Sequence, residues 1–159
     1  MNLIRISNIF SFRVIVFIGS FILLQCTQKP QTYTKTTLLN TYCEEIGIPK
    51  IPAEEHHVYI FIPRFGCPGT IAYSIQAISN SSSLTDNKDK ITLIIDDPQY
   101  RYQSWLDQSN IYFDEQAKFE KLDLDIANVT IISVRQSKIE SHFSLNKPGD
   151  EMELYNLFK

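Results

Sequence analysis

Cys67 stands directly before Pro68, and Ile71, Ile75 and Ile78 follow at helical spacing. Proline is favoured at the first position of a helix, so the pattern predicts a helix opening at Pro68 with Cys67 at its start. A thiolate placed there faces backbone N–H groups that have no intrahelical partner, and the positive end of the helix dipole. Both lower its pKa and raise the share of nucleophile at neutral pH. Thr70, three residues on, offers a hydroxyl to the thiolate, and Arg64, three residues before, offers a positive charge. A plainer reading stands beside this one: Cys67 caps the helix, or forms half of a structural disulfide with Cys43.

The chain has three cysteines, Cys26, Cys43 and Cys67. Cys43 falls within Leu38 to Ile46, a short helix by its pattern, with Leu38, Leu39, Tyr42 and Ile46 on one side. It is the candidate resolving thiol for Cys67. Other reactive types are less well grouped. His56 and His57 follow Glu54 and Glu55, but adjacent residues at a strand's start point to opposite faces, and no metal site is expected. His142 falls on an edge strand with its side chain exposed. Asp96 and Asp97 end a strand, where Asp97 is suited to cap a helix opening at Pro98. No Ser-His-Asp pattern, phosphate-binding glycine loop or dinucleotide fingerprint is present.

The elements that must position Cys67 are legible as hydrophobic runs. Val58 to Ile62 is a continuous apolar stretch of β-formers, the signature of a strand covered on both faces, and Ile91 to Ile95 is a second strand of that buried type. Val129 to Val134 is a third strand, and Lys138 to Ser144 alternates as a hairpin partner. Ile111 to Phe113 reads as a short strand and Asp114 to Lys121 as one or two helical turns. Ser79 to Lys90 reads as a polar loop. The helix after Pro98 carries Tyr102, Trp105 and Leu106 inward, and a last helix after Pro148-Gly149-Asp150 carries Met152, Tyr155 and Phe158 inward. Strands alternating with helices imply parallel pairs, and the late hairpin an antiparallel edge. The fold class is α/β, a mixed sheet flanked by helices.

The N-terminus carries Arg5 and Arg13 and then eleven uncharged residues, Val14 to Leu24. A membrane-spanning helix needs roughly 20 apolar residues, a signal-peptide core only about 7–15. Leu23-Leu24-Gln25-Cys26 resembles the lipobox of bacterial lipoproteins, with Gln25 where a small residue is usual. The resemblance implies that residues 1–25 are a signal peptide and that Cys26 is the lipid-attachment residue. The implied location is the bacterial cell envelope, with the bilayer as partner and the domain facing the periplasm or exterior. Removing residues 1–25 takes away two arginines and no acid, so the formal charge moves from −3 to −5. An acidic chain without a Lys/Arg cluster argues against nucleic acid as a partner. Thr27 to Thr37, polar and rich in Thr and Gln, reads as a tether.

The order of elements, with Val58–Ile62, then Cys67-Pro68-Gly69-Thr70 opening a helix, then Asn128-Val129-Thr130 entering the hairpin, resembles the thioredoxin-like family. The resemblance covers residues 55–159; residues 26–54 then hold the lipid-attachment Cys, the tether and the short helical segment. It implies a thioredoxin-like sheet, mostly parallel with a C-terminal antiparallel hairpin. It implies thiol–disulfide exchange through Cys67 without a cofactor, and a thiol- or disulfide-bearing protein as partner. Two positions depart from the family's pattern. Thr70 stands where the second Cys of C-x-x-C belongs, and Val129 where a proline facing the active Cys belongs. The standard cycle, in which a second thiol resolves the mixed disulfide, is therefore closed at position 70. A weaker resemblance to peroxiredoxins rests on Cys67-Pro68 and Thr70. Those enzymes place a Thr three residues before the Cys, where this chain has Arg64, and Arg135 is the candidate for their activating Arg. Two functions follow: a redox protein working through Cys67, alone or with Cys43, or a catalytically degenerate binding module of an envelope complex.

Overall fold

In the computed structural model, residues 34–52, 54–97 and 110–159 are described. The expected signal peptide, the expected lipid-attachment residue Cys26, the first part of the expected tether and the helix expected after Pro98 lie outside the described residues. Helix α1 (Lys35–Glu45) leads into strand β1 (His57–Ile62). Helix α2 (Pro68–Ser79) and the short α3 (Ser82–Thr85) follow, then β2 (Ile91–Ile95), β3 (Ile111–Phe113), β4 (Thr130–Arg135) and β5 (Lys138–Ser144). The five strands form one mixed sheet in the order β3-β2-β1-β4-β5. β1 runs parallel to β2, Val58 beside Ile91 and Ile62 beside Ile95. β2 runs parallel to β3. β4 is antiparallel to β1, Phe61 beside Thr130, and β5 is antiparallel to β4. The two-residue loop Gln136-Ser137 has positive φ at both positions, the backbone that matches a tight hairpin to the right-handed twist of its strands.

β1 is buried along its whole length because helices cover both faces, and alternate side chains feed two cores. Val58, Ile60 and Ile62 pack with Ile71, Ile75 and Ile78 of α2, Leu84 of α3, and Leu154 and Leu157 near the C-terminus. Tyr59 and Phe61 pack on the other face with Leu39, Tyr42 and Cys43 of α1, together with Phe119 and Leu124. α1 and α2 therefore lie on opposite faces of the sheet. Among the described residues no helix is long and apolar enough to cross a membrane.

Several local expectations are corrected. α1 starts three residues earlier than its apolar pattern, because Thr34 caps it, its hydroxyl accepting from the Thr37 N–H at 3.2 Å. The residues from Lys35 on thus belong to the fold, not to a tether. The polar run after Ser79 is not a loop throughout: Leu84 is its apolar anchor, and the buried Ser81 hydroxyl caps α3. Only Lys118–Lys121 of the segment after Asp114 is helical, as one 3₁₀ turn. The last helix is a 3₁₀ helix, Asp150–Asn156, with the opposite phase to that expected. Met152 and Tyr155 are exposed at 61% and 44%, while Leu154 and Leu157 are buried; Phe158 packs against the core as expected. The burial of Leu154 and Leu157 defines this phase, and on the same side Glu151 accepts from Tyr73 Oη of α2 and from the Gly149 N–H. With three residues per turn, Leu154 and Leu157 follow Glu151 onto the side facing α2.

Candidate functional site

Past the buried end of β1, Pro63, Arg64, Phe65 and Gly66 carry the chain to Cys67, the N-cap residue of α2 in extended conformation, with Pro68 at the first helical position. The Ile71 N–H closes the first helical turn on the Cys67 carbonyl at 3.0 Å. The thiol is exposed. Its sulfur makes no well-formed capping hydrogen bond, but the Thr70 N–H, then the Thr70 hydroxyl, then the Gly69 N–H hold its pKa below that of an ordinary thiol. The sequence brings Cys67 and Thr70 together as expected, with the backbone of Thr70 acting more strongly than its hydroxyl.

Gly66 is there for close approach. A Cβ on it would meet Ile71 Cδ1 at 3.0 Å and Asn128 Oδ1 at 3.4 Å. The turn is thus pressed between α2 and the residue that precedes Val129. Val129 itself is fully buried in the α2-side core, and Asn128 Nδ2 donates to Asn146 Oδ1 at 2.8 Å. Phe65 projects into solvent, 68% exposed, two residues before the thiol.

Arg64 does not serve Cys67. Its Nη2 donates to the Asp96 carbonyl at 3.1 Å and approaches Asp96 Oδ1 at 3.3 Å, so its charge is committed to a buried carboxylate at the end of β2. Burial raises the pKa of Asp96; Arg64 opposes this, while Asp114 and Asp97 add to it. Asp114, at the end of β3, is buried too, its Oδ2 accepting from Tyr42 Oη at 3.1 Å and from the Phe119 N–H at 3.0 Å.

Cys43 is elsewhere. It sits in the last turn of α1, 6% exposed, in the core on the opposite face from α2. Burial pushes its thiol up to about 12; a hydrogen bond with Tyr59 opposes the rise and Glu44 adds to it. Cys43 and Cys67 are both free thiols, separated by the sheet, so the structure does not bring the candidate resolving thiol to Cys67. Cys43 lines a small cavity of about 90 Å³ with His57 and Tyr59. His57 is buried, its Nε2 2.9 Å from Thr92 Oγ1, and burial, then His56, lowers its pKa to about 4.

Arg135 is also misplaced for a peroxidase. β4 antiparallel to β1 sets Val134 beside His57, so Arg135 lies at the opposite end of the sheet from Cys67. There it pairs with Glu140 at 3.3 Å and meets His56 Nδ1. His56 and His57 have different partners. His142 lies on β5 as expected but is half-buried, not exposed, and burial lowers its pKa.

Sequence reasoning missed the Arg64–Asp96 tie. The signal was present in the register: in a parallel pair with Ile62 beside Ile95, the residues just beyond each strand emerge side by side. No family model, curated protein or solved structure matches the chain.

Proposed function

We propose that the chain is a thioredoxin-like protein that performs thiol–disulfide exchange through the single thiol of Cys67, exported behind residues 1–25 and held on a bacterial membrane by a lipid on Cys26. One observation carries the redox reading: an exposed thiol at the N-cap of a twelve-residue helix, its pKa lowered by donors from Thr70 and Gly69. The strand order, with the Cys-bearing helix following a central strand and a hairpin beyond it, supports the thioredoxin-like assignment. In the exchange step the Cys67 thiolate attacks one sulfur of a partner disulfide. A new S–S bond forms, the old one breaks, and the departing thiolate takes a proton from water. With Cys43 behind the sheet, the mixed disulfide is released by a second thiol of the partner or by a small thiol, which regenerates Cys67.

The separation of the two thiols also supports a second reading, a binding module without turnover. The two readings part on one experiment. Alkylation of Cys67 followed against pH is expected to show a midpoint below about 7.5, where a free thiol titrates near 8.5. Incubation with oxidised glutathione is expected to give a mixed disulfide on Cys67 that dithiothreitol reverses. An ordinary midpoint together with no mixed disulfide leaves only the binding module. For the anchor, mass spectrometry of the membrane-extracted protein is expected to show a diacylated or triacylated Cys26 as the first residue; an intact Met1 would end that assignment.

A further inference from the structure

Among the described residues, Asp96 is a buried carboxylate whose Oδ2 has no hydrogen-bond partner, and buried groups of this kind call for an explanation. Its hydrogen bonds to described residues lead to the end of β1 and the turn that presents Cys67. The Asp96 N–H donates to the Ile62 carbonyl at 3.0 Å, fixing where that turn begins. The Arg64 guanidinium then meets both the carbonyl and Oδ1 of Asp96. We propose that Asp96 is a positioning residue for Cys67: it holds Arg64, and through Arg64 the Pro63–Gly66 turn that sets the thiol against the first turn of α2. The inference rests on the reading of Cys67 as an active thiol.

The asymmetry of the pair gives the tie its direction. Arg64 is two-fifths exposed and has water as an alternative, whereas the Asp96 side chain is fully buried. Among the described residues, the ionisable groups acting on Asp96 are Arg64 from the turn, Asp97 beside it in the chain and Asp114 from the end of β3. The two carboxylates repel, so Arg64 is the favourable charge acting on it. A buried carboxylate that loses its cation is strongly disfavoured, so Asp96 keeps Arg64 in place. The turn is short, with only Phe65 and Gly66 between Arg64 and Cys67, and a side chain at Gly66 would run into Ile71 of α2. A shift at Arg64 is therefore passed to Cys67, three residues on. The lowered pKa of the thiol comes from its nearness to the N–H groups of Thr70 and Gly69, and the attraction of a helix start falls off within its first turn.

The test follows Cys67 alkylation against pH in the reduced protein, using iodoacetamide. Asp96→Asn keeps the shape and removes the charge. It is expected to raise the midpoint by about half a unit to one unit, slowing alkylation at neutral pH about threefold to tenfold. Arg64→Gln is expected to match it, and the double variant to go no further than either single change. Asp114→Asn removes an equally buried carboxylate that holds Tyr42 and Phe119 instead of the turn. Because it also relieves a repulsion on Asp96, it is expected to lower stability without raising the midpoint. Should Asp96→Asn fail to fold, Arg64→Gln, altered at the exposed partner, gives the reading alone. A depressed wild-type midpoint that neither Asp96→Asn nor Arg64→Gln moves overturns the positioning role and leaves the Cys67 reading standing. A wild-type midpoint near 8.5 takes both down.

Discussion

Two thiols on two faces of one sheet have opposite characters. Cys67 ends a turn, is exposed, and has its pKa held down by the donors of a helix start. Cys43 sits inside a helix and is packed against Tyr59, and burial pushes its pKa up to about 12. Neither character comes from cysteine itself. A free helix terminus supplies donors, while a helix's own body has already spent its N–H groups on the preceding carbonyls. The same side chain is therefore a candidate nucleophile on one face and a small apolar filler on the other.

The contrast breaks most visibly if both thiols react alike. In the native protein one equivalent of maleimide is expected to label Cys67, with Cys43 slower by about a thousandfold or more, because it reacts only through opening of the core. Peptide mapping before and after denaturation reads this directly. Comparable rates would mean that the α1 face is open.

A second variant separates the faces energetically. Leu39→Ala removes a fully buried side chain from the Cys43 core and is expected to destabilise by about 2–5 kcal/mol. Urea unfolding measures the loss, and the Cys67 alkylation midpoint is expected not to move.

Acid sharpens the comparison next. The folded pKa of His57, about 4, lies below the unfolded value of about 6.5. The unfolded chain therefore takes up the proton first as pH falls. Stability is fully present above about pH 6.5 and is lost as pH falls toward 4, by on the order of 3 kcal/mol in all. Asp96 acts in the opposite sense, since its raised pKa favours the protonated folded state as pH falls. His57→Gln isolates the histidine: urea midpoints against pH should show a shallower slope between pH 6.5 and 4 in the variant, the remainder coming from the other histidines that burial lowers, and an unchanged slope would assign it elsewhere.

The smallest effect belongs to Thr70. Because its N–H acts on Cys67 more strongly than its hydroxyl, Thr70→Val is expected to raise the alkylation midpoint by no more than about half a unit. A rise to the free-thiol value would make the hydroxyl the principal donor.

The parts of this arrangement that were legible in the sequence are those written in local pattern. The largely apolar, β-forming runs of β1 and β2 mark strands with two covered faces, and Cys67-Pro68 ahead of Ile71, Ile75 and Ile78 marks a helix start. What was not legible depends on where distant segments meet. Nothing local in the sequence separates Cys43 from Cys67; the placing of α1 and α2 on opposite faces does. Nothing local commits Arg64 to Asp96; the parallel register of β1 and β2 does. The C-terminal helix carries apolar residues at both Met152, Tyr155 and Leu154, Leu157, and only packing against distant segments selects the second pair.

The position of β1 at the centre of the sheet also governs how the molecule can form. One of its edges is filled by β2 about thirty residues later, the other by β4 only after about seventy, so final closure waits for the last third of the chain. Pairings so remote in sequence add only modestly to the loop-closure cost but raise the contact order, which slows folding. While the chain is still being synthesised, the apolar strand from His57 to Ile62 has one unpaired edge open to any other extended chain. A fragment ending before Thr130 should therefore self-associate, whereas the complete chain seals that edge with its own hairpin.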